Sequence, residues 1–195
     1  METSEKEISI KELILSFSVL GIIALIAILI WKRFDTLDFL AVLFDPSNLL
    51  INVLLGASSG IILALIATIL VKITGTKMPK SNDQLIDIMM RPSGPVLVGA
   101  LPGTFEELFF RGFLLLFSMH YTGTLAGVIL STLVFWAIHI PQYKTKIVLN
   151  LNVILLSILT SILVIETGSL WGAIFAHAVY NYLVTLAVQK KLIKV

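Results

Sequence analysis

Apolar residues in this chain come in long unbroken blocks, with the charged residues gathered between them. A helix needs about 20 such residues to cross the hydrocarbon core of a bilayer. Six blocks reach that scale: Leu13–Trp31, Leu49–Val71, Val96–His120, Thr122–Ile140, Ile147–Ile165 and Leu170–Val188. Lys32 and Arg33 close the first, and Asp45-Pro46-Ser47-Asn48 opens the second as a turn with a ready N-cap. The third is interrupted by Pro102-Gly103 and then by Glu106, Glu107 and Arg111. Runs this continuous do not alternate as lipid-facing strands would. The pattern predicts an all-α polytopic bundle of about six transmembrane helices, organised as one integral membrane domain over residues 1–195. The first block is longer than a signal-peptide core of about 7–15 residues, and bulky Leu29-Ile30-Trp31 stands where a small-residue cleavage site would be. It reads as a retained anchor.

Two linkers carry their own periodicity. In Phe34–Phe44 the residues Phe34, Leu37, Leu40, Ala41 and Phe44 recur at helical spacing. Ser81 and Gln84 form a capping box ahead of Leu85, Ile86, Ile88, Met89 and Met90. Both segments are expected to be short amphipathic helices at the membrane surface. No internal repeat is present.

Composition agrees with the blocks. The chain is 57% hydrophobic and 13% charged, with a mean hydropathy of +1.00. Soluble domains run at about 45–50% apolar and about 25% charged, so too little charge is present to coat a soluble globule. The 14 Lys and Arg residues are too few for a nucleic-acid-binding stripe. With no cysteine, disulfide scaffolds, Cys-ligated metals and thiol nucleophiles are excluded. Charge placement is more telling. Lys6, Lys11, Lys72, Lys77, Lys80, Arg91, Lys144, Lys146, Lys190, Lys191 and Lys194 fall on one side of the predicted bundle, against Lys32 and Arg33 on the other. That asymmetry puts both termini in the cytoplasm of a multi-pass protein in the cell membrane.

Charges at bilayer depth cost at least about 2.5–3.5 kcal/mol each, so they need partners or a purpose. Glu107 and Arg111 are an i, i+4 pair in the favourable order and can neutralise each other. Glu106 points about 100° away and lacks that partner. A desolvated, unpaired carboxylate suits a general acid or base. His139 alone could be a hydrogen-bonded core residue. His177 and Asn181, four residues apart on one helix face, could alone be an interhelical clasp. Together, Glu106, His139, His177 and Asn181 are nearly all the strongly polar groups of three separate spans, and a bundle must gather them inside. Measured from Tyr121 and Leu170 at about 1.5 Å per residue, Glu106 and His139 lie about 22 and 26 Å inward, but His177 and Asn181 only about 10 and 16 Å. The mismatch disappears if the Glu166–Leu170 turn dips into the protein.

These residues resemble known motifs. Glu106-Glu107-Leu-Phe-Phe-Arg111 is similar to the EExxxR motif of the CPBP family of intramembrane proteases, also called the CAAX protease or Abi-type family. Phe135-Trp-Ala-Ile-His139 resembles its FxxxH motif, and His177-Ala-Val-Tyr-Asn181 its HxxxN motif. The resemblance covers about residues 95–185 as a catalytic core. It implies hydrolysis of peptide bonds in membrane-associated peptides or proteins. Glu106 would activate water, His139 would position it or share its proton, and His177 and Asn181 would bind the oxyanion. Glu107 and Arg111 would brace the helix, with Phe135 as structural support. No cofactor is expected. In the alternative, zinc-dependent version of the protease, Glu106, His139 and His177 would be the Zn²⁺ ligands, although HExxH spacing is absent. Other classes consistent with buried polar groups are a non-hydrolytic bacteriocin-immunity or scaffold protein and a small proton-coupled transporter. Two related halves with broken helices would mark the transporter, and here the first two spans are bare.

Overall fold

The computed structural model describes residues 9–79 and 83–194. Helix α1 (Ile10–Lys32) leads through a short 3₁₀ turn into α2 (Thr36–Leu43), followed by α3 (Leu49–Thr74) and α4 (Asp83–Met90). Next comes one long helical rod in three registers: α5 (Gly94–Glu107), a π-helical segment (Leu108–Leu115) and α6 (Leu116–Thr122). Three spans complete the bundle: α7 (Thr124–Tyr143), α8 (Ile147–Thr167) and α9 (Trp171–Gln189). Among the described residues, five helical stretches are individually long and apolar enough to cross a membrane: α1 with α2, α3, α7, α8 and α9. The expected third span is present as the composite rod, whose pieces of 14, 8 and 7 residues run on without a break. The chain is a multi-pass, all-α membrane protein.

The burial pattern is that of a protein dissolved in lipid. Ile30, Leu50, Ile73 and Ile147 face outward, whereas Asn52, Glu107, Arg111, Asn152 and His177 are buried. Helix α9 is the hub, with α3 and α5 packed along it and α8 beside it; α1 sits outside α5 and the π segment. Small residues set the closest approaches. A Cβ on Gly60 of α3 would collide with the Ala176 carbonyl, and one on Gly103 of α5 would lie 2.9 Å from the Ala178 amide. These two contacts hold α3 and α5 against α9 on either side of His177.

Both expected surface helices form, with more contact to the bundle than a surface position requires. In α2, Leu43 is buried and its carbonyl accepts from the Leu170 N–H and the Ser169 hydroxyl. Ser169 and Leu170, at the end of the α8–α9 turn, are therefore buried beneath α2, whereas Glu166 and Gly168 stay exposed. Phe34 and Leu37 remain fully or largely exposed. In α4, Ile88 and Met89 are buried, and the Gln189 side chain donates to the carbonyls of Met89 and Arg91 (2.7 and 2.9 Å). So α4 roofs the bundle rather than lying flat on the membrane. The Ser81 cap falls outside the described residues.

The turn before α3 differs from expectation. Asn48 occupies the N-cap position but makes no side-chain cap bond. Instead, Asp45 accepts from the hydroxyl and the N–H of Ser47 (2.7 and 2.9 Å), and these bonds hold its carboxyl below the usual value.

Candidate active site

Three helices deliver the charged and imidazole groups to one place. Glu106 and Glu107 end α5, His139 lies on α7, and His177 and Asn181 lie on α9. Glu106, His139, His177 and Asn181 line a single cavity of about 250 Å³, together with Phe135, Tyr143 and Tyr180. The gathering expected from the sequence is present.

The two glutamates face different surroundings. Glu106 is 9% exposed and lines the cavity, and its buried Oε2 has no hydrogen-bond partner. Glu107 is fully buried and anchors a chain of contacts. Its Oε2 lies 3.3 Å from Arg111 Nε, the i, i+4 ion pair expected from the sequence. Its Oε1 accepts from His177 Nδ1 at 2.6 Å, an added role that the sequence did not suggest. Arg111, also fully buried, donates through Nη2 to the Ser157 carbonyl at 3.0 Å, and its guanidinium stacks over the Phe135 ring at 4.5 Å. The Ser157 hydroxyl continues to Thr132 at 3.0 Å. One polar chain thus ties α9, α5, the π segment, α8 and α7 together.

The π segment explains how this much polar chemistry fits at depth. Its i→i+5 register begins directly after Glu107, and π bulges inside α-helices occur frequently at functional sites. It places Phe110, Arg111 and Leu115 inside together. The Phe110 carbonyl is capped by the Ser131 hydroxyl at 3.0 Å. Phe135 packs edge-on against Phe110 and His177, and its ring lies 4.6 Å from that of His139. It is the apolar wedge that spaces the two imidazoles.

Each imidazole is fixed through Nδ1. His139 Nδ1–H donates to the Phe135 carbonyl at 2.7 Å, which leaves its Nε2 as an acceptor. His177 Nδ1 lies 2.6 Å from the Glu107 carboxylate, and this contact orients its ring. Asn181 uses one amide hydrogen on the Val98 carbonyl at 3.2 Å and keeps the other. Among the described residues, no three His, Cys, Asp or Glu side chains are grouped so as to hold a metal ion. Asn152 and Thr185 also line the cavity, and the sequence reading left them without a role.

Residues 92–183 match the family described as type II CAAX prenyl endopeptidase, Rce1-like. No curated protein and no solved structure matches the chain. The matched stretch contains all three motifs. Over this stretch, just under half of the chain, the protein is similar to CAAX-type membrane-embedded proteases.

Proposed function

We propose that the chain is an intramembrane endopeptidase that cleaves membrane-associated peptides or proteins with water activated by Glu106 and His139. The observation that carries this reading is the division between the two glutamates. Glu107 is consumed by Arg111 and His177, whereas Glu106 lines the cavity and its buried Oε2 has no hydrogen-bond partner. Water held between Glu106 and His139 Nε2 loses a proton to Glu106 as its oxygen adds to the scissile carbonyl. The resulting oxyanion is met by N–H groups of His177 and Asn181. Collapse breaks the C–N bond, and Glu106 returns the proton to the leaving amine. Glu107 acts through His177 as a positioning residue, and Arg111 balances its charge.

No metal is assigned to this chemistry. The excess of Lys and Arg on one side of the bundle supports a cell-membrane protein with both termini in the cytoplasm. The CAAX description of the matched family makes a C-terminal prenylated peptide the first substrate class to try. The test is cleavage of an S-farnesyl CAAX-type peptide by purified protein in proteoliposomes. Wild type is expected to release the C-terminal fragment, and Glu106→Gln to release none. Equal product from both would remove Glu106 from the chemistry.

A further inference from the structure

Two buried polar groups on the cavity wall take no part in the steps above. Asn152 on α8 is 3% exposed and its Oδ1 has no hydrogen-bond partner; Thr185 on α9 is fully buried and its Oγ1 has none either. Both line the cavity that holds Glu106 and His139. Buried polar atoms are paired in the great majority of cases, so two orphans on one cavity wall call for an explanation.

Neither orphan is forced by local structure. Thr160, Ser161 and Thr167 on α8 each return the hydroxyl to the carbonyl four residues back. The Asn181 carbonyl stands in the same relation to Thr185, yet the Thr185 hydroxyl stays unpaired. Asn150, two residues before Asn152, accepts from Trp136 and donates to the carbonyls of Lys144 and Lys146. Asn152 is as polar and deeper, and its oxygen is unused.

Their placement identifies the occupant. His177, Asn181 and Thr185 recur every four residues and share one face of α9. Thr185 lies about 6 Å beyond Asn181 along the axis. An extended peptide with its scissile carbonyl at His177 and Asn181 reaches Thr185 after about two residues. The orphan on Asn152 is an acceptor, which a lipid ester cannot satisfy, because it has no hydrogen to give. A peptide N–H can, and a carboxamide matches both polar groups of a peptide unit.

We propose that Asn152 and Thr185 form a main-chain subsite that grips the peptide substrate about two residues from the scissile bond. This rests on the peptidase reading. The test measures binding of a fluorescent S-farnesyl CAAX-type peptide to Glu106→Gln protein in nanodiscs, with Asn152→Leu or Thr185→Val added, and cleavage by the same variants with Glu106 intact. Each variant is expected to raise Kd and KM by about three- to tenfold, the range of one or two neutral hydrogen bonds, while kcat moves little. Tm should hold or rise, because an unpaired polar group has been replaced by an apolar one. Replacing the peptide's amides by esters one at a time should weaken binding to the Asn152-containing protein at one position and leave Asn152→Leu indifferent there. If affinity falls in both variants although nothing is cleaved, the subsite stands and the peptidase reading falls. Unchanged affinity in both variants, or a loss of affinity matched by a fall in Tm, overturns the subsite.

Discussion

Replacing the Glu107 carboxylate by an amide probes the polar chain at its most connected point. In Glu107→Gln, the fully buried Arg111 would lose its ion-pair partner and be left with the Ser157 carbonyl at 3.0 Å, the Phe135 ring face at 4.5 Å and the more distant attraction of Glu106. Breaking one side of a buried pair costs about 3–5 kcal/mol, because the other charge is left uncompensated. His177 would lose the carboxylate that its Nδ1 contacts at 2.6 Å, and with it the contact that orients its ring. Loss of one oxyanion donor lowers kcat by about 10²–10³-fold. The two effects separate in Glu107→Gln/Arg111→Met. With both charges gone, most of the stability should return, since apolar replacements of buried pairs are often neutral or better. Activity should not return, because His177 still lacks its carboxylate. Circular-dichroism melts in detergent and peptide-cleavage rates on the three proteins decide the matter. A single variant that melts with the wild type, or a double variant that regains activity, would refute this account of Glu107.

Glu106→Gln should abolish cleavage while leaving Tm unchanged or higher, since it removes a desolvated charge whose Oε2 has no partner; a large drop in Tm would mean that the two glutamates are assigned backwards. Gly103→Leu should push α5 away from Ala178, whose amide would lie 2.9 Å from the new Cβ, and should lower kcat by about 5- to 160-fold, the equivalent of the roughly 1–3 kcal/mol of an overpacked contact; wild-type rates in that variant would show that the α5–α9 contact does not position Glu106. A reporter fused after Val195 should be active only in the cytoplasm, given eleven loop Lys and Arg residues on that side against two on the other; activity only outside the cell would reverse the orientation.

The spans were legible because lipid-facing helices write themselves as unbroken apolar blocks. The gathering of Glu106, His139, His177 and Asn181 was legible because polar groups at bilayer depth have only the interior to go to. The Glu107–Arg111 pair could be read from its spacing of four. Its third member could not, since His177 is 70 residues away and nothing about a pair already neutralised asks for another partner. The π segment was hidden for a different reason: Leu108–Leu115 is apolar at nearly every position, so its side chains do not report which carbonyl each amide reaches. The role of α4 was half-visible. Its apolar face was evident, but whether that face meets lipid or roofs a cavity depends on Gln189, a hundred residues away from Met89.

The claim that Glu106 and His139 activate water without a metal is tested most directly by a single-turnover cleavage in ¹⁸O-labelled water, with and without a strong chelator. The account predicts one ¹⁸O in the new carboxylate and the same rate after chelation. It also predicts no labelled product from Glu106→Gln. Cleavage lost on chelation and restored by Zn²⁺, or labelled product from Glu106→Gln at the wild-type rate, would contradict it.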